Sequence, residues 1–393
     1  MTKTVVLSAA RTPIGKLGGA LSTLDAAALG GIAIEAALAQ ALVMPTQVQH
    51  VVMGQVLQAG QGQIPSRQAQ VRGEIPREIS SETINKVCAS GLRAVGLLDS
   101  VIRAGDLRIG VAGGMESMSN APYLLKGARF GFRMGDANAI DAMVHDGLTN
   151  PFSGRQMFDK ATEVGDKLGI TRADLDRWAL RSHERAIKAS DEGRLADEIA
   201  PVTIRSKKGA TVVDVDEAPR RDSTLDALAK LPGLVRPGGS HTAGNSPGVN
   251  DGAGVLVLSS DEWAIARGRT PLATIVGQQQ VADDYPNLAI VPGKAAQALL
   301  KRLGMKPEVV DLWEINEAFA SVTVNSIRML GIDPERVNVN GGAIAFGHPI
   351  GASGARILGT LIHELRRRGG GLGCVAICSG GGQGDAMLVE VHP

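Results

Sequence analysis

The sequence predicts an α/β protein of two related halves, each a buried mixed sheet covered by helices, with a region of different composition set between them. Three observations carry that prediction. Short β-branched or apolar runs alternate with Ala- and Leu-rich stretches at helical spacing over residues 4–119, and again from 271 onward. RAGDLRIGVAGGMES (103–117) and RGGGLGCVAICSGGGQGDA (368–386) share one layout of basic residue, glycines, short apolar strand and glycine turn. Residues 120–245 carry many charges and several Pro and Gly, with no strand alternation until PVTIRSKK and ATVVDVDEA.

In the first half, TVVLSAA (4–10) is β-branched and apolar and is ended by Arg11-Thr12-Pro13, which reads as a buried strand. Residues 22–42 open on Ser/Thr/Asp and continue Ala/Leu-rich, a helix. HVVMGQVL (50–57) is a strand, GLRAVGLLDSVIRAG (91–105) a helix ending on glycine, and DLRIGVAGGMESMS (106–119) a strand running into a turn. The middle region holds one capped helix, 171–190, whose charged face places it at the surface. This region reads as an inserted lid over a substrate site. GAGVLVLSS (252–260) is a buried strand returning to the first half. The second half repeats the plan with strands at 271–282, 309–316 and 374–386 and helices at 293–304 and 351–369. The resulting units are 1–119 completed by 246–270, then 120–245, then 271–393.

With 41 Lys+Arg against 40 Asp+Glu, no basic excess marks a nucleic-acid or membrane partner. No run of about 18 apolar residues offers a membrane span. The start MTKTVVLSAARTPIG lacks an apolar segment behind a basic one, so no secretory signal is expected. The three cysteines, Cys88, Cys374 and Cys378, are too few for a disulfide framework, which points to a reducing, cytoplasmic setting. Aromatics are only 3%, so Ala, Val, Ile and Leu must build the core.

Cys88, His348 and Cys378 concentrate the chemistry, each beside a turn of small residues: NKVCASG (85–91), GGAIAFGHPIGASGAR (341–356) and CSGGGQGDA (378–386). A lone cysteine is ordinarily a small buried hydrophobe. Cys88, however, falls at a helix N-terminus, where the dipole and free N–H groups are expected to stabilise a thiolate. His348 lies between Gly347 and Pro349, with Pro349 expected in the first turn of a helix, and an imidazole there can take a proton from a thiol. One thiol can carry an acyl group and a second can move a proton, while the glycines admit backbone N–H groups to an oxyanion. Cys374 has no turn beside it and reads as structural. Asn316, in NEAFA (316–320), is either a turn residue or the holder of a water beside a carbonyl, and Glu317 can anchor that loop. The glycine run after Cys378 is no dinucleotide loop, since no helix of useful length follows it.

In order and spacing, NKVCASG, NEAFA, GGAIAFGHPIGASGAR and CSGGGQGDA resemble the thiolase family over essentially the whole chain, in particular its acetyl-CoA C-acetyltransferase type. The resemblance implies two βαβαβαββ halves, an active site where they meet, a loop domain covering it, and a dimer or tetramer. It implies that Cys88 is the acylated nucleophile, His348 its activator and Cys378 the acid/base. One oxyanion hole would use the N–H groups of Cys88 and Gly380, the other His348 with a water held by Asn316. CoA and acyl-CoA would be substrates, with no permanently bound cofactor and no metal.

For CoA itself, the resemblance points to Arg220 near the nucleotide phosphates and to Met157 and Phe319 in the acyl and pantetheine pocket. Ser246 in GNSPG (244–248) is the pantetheine candidate, with Pro247 at the second position, where the family commonly has a Ser. Gln156 stands where biosynthetic members often have His. YPNLAIVPGKA (285–295) replaces a Met-Gly-Thr-Gly-Pro type segment and brings Leu288 toward the acyl pocket, and Ser379 and Gln383 are less usual beside the second cysteine. Acetoacetyl-CoA/acetyl-CoA interconversion is the first reading. Thiolysis of longer 3-ketoacyl-CoAs in fatty-acid breakdown is the alternative, and a silent thiolase-like binding protein is the alternative of another class.

Overall fold

The computed structural model describes residues 2–207 and 209–392. Among the described residues the main sheet has ten strands, nine of them in one continuous path: β1 (Thr4–Arg11), β2 (His50–Gly54), β3 (Ser80–Ile84), β4 (Ile109–Ser117), β5 (Asn250–Ser260), β6 (Ala273–Ala282), β7 (Leu312–Ile315), β8 (Gly371–Ser379) and β9 (Gln383–Val391). They run in the order β7-β8-β9-β6-β1-β5-β4-β2-β3, and the two residues Gly15–Lys16 add a tenth strand beside β5.

That order has a two-fold pattern. Outward from β1, the neighbours β5 and β4 are antiparallel and then β2 and β3 parallel. Outward from β6, β9 and β8 are antiparallel, β7 is parallel, and a parallel bridge from Trp313 to Val337 stands where β3 stands in the other half. The halves join where β1 meets β6 at Val5↔Thr274 and Val6↔Ala273. The expectation of one sheet per half is therefore modified, because the two are hydrogen-bonded into one.

Strand alternation decides which layer each side chain enters. Val5 and Leu7 pack with helix α1 (Ala26–Ala41) in one cluster, whereas Val6 and Ala9 face a central cluster. That central cluster also takes residues of helices α2 (Ser90–Ala104) and α7 (Ser353–Arg367) and of strands from both halves. On the far side, helices α5 (Val291–Leu303) and α6 (Ala320–Leu330) pack with Trp313, Cys374 and Leu388. Cys374 is thus a core residue.

The central helices α2 and α7 cross where neither has a side chain. A Cβ on Gly91 would lie 2.9 Å from Ala355 N, and one on Gly354 would lie 2.4 Å from Leu92 N. The two helices open with the same triplet, Ala89-Ser90-Gly91 and Ala352-Ser353-Gly354. This short internal repeat is the sequence signature of the two-fold pattern, and the layout comparison of 103–117 with 368–386 did not detect it.

The middle region departs from expectation in one respect. Helix α4 (Arg172–Asp191), capped by Thr171, buries Leu175, Trp178, Ala179, Ser182 and Ala186. Its charged face is exposed, but its other face packs against α6 and the core of the second half. The region also holds helix α3 (Met157–Lys167) and the hairpin of Val202–Ser206 with Gly209–Val213. Strand β3, helices α3 and α6, and strand β9 were not predicted. Short polar strands such as SSETI lack the apolar run on which the reading depends.

Candidate active site

Cys88 sits on a tight turn between β3 and α2, two residues ahead of the helix. The preceding Val87 has φ 43°, a left-handed conformation that a β-branched residue adopts only when its surroundings compel it. Asn85 Oδ1 accepts from Val87 N at 2.9 Å, and Ser90 Oγ accepts from Lys86 N at 2.8 Å while donating to Val87 O at 2.7 Å. The second half completes the clamp. Lys86 Nζ meets Asp385 at 2.5 Å, and Ser379 Oγ donates to Lys86 O.

The Cys88 thiol is half-buried and is approached by two backbone N–H groups, its own and that of Gly380, both of which favour a thiolate. Burial and the nearby Glu116 outweigh them and push the thiol up to about 12. Where a thiolate was expected at this helix N-terminus, the sulfur at rest keeps its proton, because burial and Glu116 outweigh the two N–H groups.

His348 precedes α7 on a turn. Its backbone N–H donates to Asn250 Oδ1 at 2.9 Å. Its ring Nδ1 lies 2.6 Å from Ser353 Oγ, which also contacts Pro349 O at 3.0 Å, and Nε2 is buried without a partner among the described residues. Burial, and after it the charge of Arg356, lower its pKa to about 3, so the ring is neutral. Pro349 was expected in the first helical turn. The helix instead starts at Ser353, and Pro349 O accepts from Ala352 N at 2.9 Å and Ser353 N at 3.0 Å in the turn before it.

Cys378 is the penultimate residue of β8 and is fully buried among Val164, Leu288, Ala318 and Val322. Burial, and after it the proximity of Cys88, raise its pKa well above that of an ordinary thiol. Asn316 follows β7, and both polar atoms of its side chain are buried with no partner among the described residues. Glu317 is the loop anchor. Its Oε1 accepts from Trp178 Nε1 and Asn338 Nδ2, each at 2.9 Å, and its Oε2 from Ser182 Oγ at 2.7 Å and Ile344 N at 3.0 Å.

One cavity of about 190 Å³ gathers Cys88, His348, Met157, Ser246, Phe319 and Leu288, with Gln156 and Pro247 also in its wall. Asn316, Cys378 and Gly380 do not line it. Cys378 packs with Met157, Leu288 and Phe319 behind that wall. Arg220 is exposed in an adjoining recess of about 270 Å³ with Lys16 and His183, and the two spaces share Ser246, Gly248 and Val249. Sequence reasoning missed Glu116, Asn250 and Ser353. GGMES at a strand end was a signal for Glu116; nothing local marked Asn250, whose partner is 98 residues away.

Two family models account for nearly all of the chain: "Thiolase, N-terminal domain" over residues 4–262 and "Thiolase, C-terminal domain" over residues 269–391. The chain belongs to the thiolase family. It is 46% identical to the acetyl-CoA acetyltransferase of Cupriavidus necator over 99% of this chain and 100% of that one. The acetyl-CoA acetyltransferase of Syntrophomonas wolfei is 45% identical at the same coverage. The crystal structure of the Bacillus anthracis acetyl-CoA acetyltransferase superposes with a TM-score of 0.97 at 38% identity, covering 100% of this thiolase and 99% of that chain. Among the described residues, no helix is long and apolar enough to cross a membrane.

Proposed function

We propose that this thiolase is an acyltransferase that interconverts two acetyl-CoA with acetoacetyl-CoA and free CoA through an acyl-cysteine. The observation that carries the reading is a neutral imidazole and a thiol on one cavity, with a second thiol directly behind its wall.

Cys88 Sγ attacks the thioester carbonyl while its proton passes to His348 Nε2, and the departing CoA thiolate takes that proton. If Ser353 spends its hydroxyl proton on Pro349 O, its oxygen accepts from Nδ1–H, which leaves the Nε2 lone pair free to act as base. The N–H groups of Cys88 and Gly380 stabilise the oxyanion. Cys378 then gives its own proton to the departing sulfur of Cys88 and takes the α-proton of a second acetyl-CoA, whose carbanion attacks the acyl carbon and breaks the Cys88 thioester bond. Thiolysis runs the same steps backward. His348 with a water on Asn316 stabilises the enolate oxygen, in keeping with the unpartnered polar atoms of Asn316.

CoA is assigned to the cavity and its adjoining recess, with Met157 and Phe319 against the acyl and pantetheine parts, Ser246 at pantetheine and Arg220 toward the phosphates. We assign the loop domain to 120–245 and the two halves to 1–119 with 246–270 and to 271–393, a division supported by the pairing of β5 with β1 and β4. A cytoplasmic homo-oligomer, dimer or tetramer, is our reading of the assembly. Its support is an apolar arm that exposes Phe130 at 90% and Met134 at 98%.

The test is thiolysis of 3-ketoacyl-CoAs from four carbons upward with free CoA. A rate confined to acetoacetyl-CoA supports the proposal. A rate that holds through medium chains assigns the enzyme to fatty-acid breakdown, and no turnover at all removes the catalytic reading.

A further inference from the structure

Glu116, at the end of β4, is fully buried, and its carboxylate is held by three backbone N–H groups from two separate loops. Val56 N donates to Oε2 at 3.0 Å and Leu57 N to Oε1 at 3.1 Å, both from the segment after β2. Gly351 N donates to Oε2 at 3.0 Å from the turn that carries His348. Val56, Leu57, Met118 and Ile350 form the small apolar cluster against which Cys88 and Val87 pack. One side chain therefore ties the wall around the nucleophile, in the first half, to the histidine turn in the second.

The packing leaves no slack. A Cβ on Gly351 would lie 2.7 Å from Glu116 Oε2 and 2.8 Å from Met115 O, and a Cβ on Gly114 would lie 2.0 Å from Gly351 O. The histidine turn is thus seated directly on the end of β4, with the carboxylate as its only charged anchor among these contacts.

We propose that Glu116 is a positioning residue that sets the distance between Cys88 and His348, by clamping the loop after β2 and the turn before α7 to one buried carboxylate. The proposal rests on the acyl-transfer reading above. Neutralising the carboxylate leaves one oxygen as a full acceptor for three donors, so at least one of the N–H groups faces a hydroxyl or an amide NH₂ instead and its loop is loosened. A shift of about 1 Å between reacting groups costs on the order of a hundredfold in rate.

The clamp also titrates. Burial, and after the opposing N–H bonds the nearby Asp251, push Glu116 up to about 7. Cys88, close enough to feel this carboxylate, sits at about 12, and His348, on the turn that the carboxylate holds, at about 3, so neither titrates near neutrality. Asp251 on β5 is itself raised by burial while Ser119 donates to it. Activity should therefore fall as pH drops through about 7, as the clamp takes up its proton.

The experiment measures kcat and KM for thiolysis of acetoacetyl-CoA from pH 5.5 to 9 in the parent, Glu116→Gln, Gly351→Ala and the double variant. We expect Glu116→Gln to lose on the order of a hundredfold in kcat, with little change in KM, and to lose the acidic limb. Gly351→Ala, which presses a methyl group onto the same oxygen, should lower kcat in the same way, and the double variant should be no worse than the worse single. Parental kcat in Glu116→Gln, an acidic limb that survives there and so belongs to Asp251, or losses that multiply would each overturn the inference. If Glu116→Gln does not fold, Gly351→Ala decides alone, and parental kcat and pH profile in it refute the clamp. Absence of thiolysis in the parent is a different result, which removes the acyl-transfer reading itself.

Discussion

Replacing Glu317 with Gln should destabilise the enzyme by about 3–5 kcal/mol and lower its activity, and the sum can be worked bond by bond. Four donors converge on the two oxygens of Glu317. In the glutamine variant the remaining oxygen keeps Trp178 and Asn338. The new NH₂ faces Ser182 Oγ and Ile344 N. Ser182 can turn its hydroxyl and accept, as it already does from Gly342 N at 3.0 Å. Ile344 N–H has no such recourse, and one buried backbone donor left unpaired costs about 1–3 kcal/mol. Two charge-assisted bonds become neutral ones, at about 1 kcal/mol each. Because Asn316 and Phe319 flank the anchor, kcat should fall together with stability. Urea unfolding followed by tryptophan fluorescence, with Trp178 reporting from the site itself, measures the first effect, and thiolysis of acetoacetyl-CoA measures the second. A destabilisation below about 1 kcal/mol with parental kcat would show that Glu317 is not the anchor of this loop.

Cys88→Ser should abolish trapping of a labelled acetyl group on the protein, and label retained on the variant would remove Cys88 from the nucleophile role. Cys378→Ala should still take up the label yet lose both condensation and thiolysis; normal turnover would refute its assignment as acid/base. His241 is buried, with Nε2 2.8 Å from Ser321 Oγ, and burial lowers its pKa to about 4. Because the folded pKa lies below the unfolded value of about 6.5, only the unfolded chain takes up this proton between those values, so stability is lost as pH falls below about 6.5. The parent should therefore lose about 2 kcal/mol more than His241→Gln between pH 7 and pH 5; equal losses would mean that His241 is not held neutral.

How much of this was legible beforehand depended on whether the signal was local. The strands at 4–10 and 252–260 and the helix 91–105 were readable, because β-branched runs, helical spacing and a closing glycine act within a few residues of one another. The turns of small residues beside Cys88, His348 and Cys378 were readable too, since they lie in the adjacent sequence. Strand β3 was not, because SSETI becomes a strand only through its pairing with β2. Cys88's protonation was misjudged for a related reason. A helix start is visible in sequence, but the burial and the Glu116 carboxylate that outweigh it are contributed by other elements.

The sequence by itself determined the α/β class, the duplicated plan, the family resemblance and the small-residue turns at Cys88, His348 and Cys378, all properties of short stretches read in order. Tertiary structure decided which residues share a cavity, that the Asn316 amide meets no partner among the described residues, that Glu317 gathers four donors, and that Glu116 joins the two loops. Those outcomes depend on contacts between residues 21 to 299 positions apart, such as Asn338 with Glu317 and Lys86 with Asp385. Desolvation and hydrogen bonding act on such neighbours in space, and sequence order does not reveal who they are.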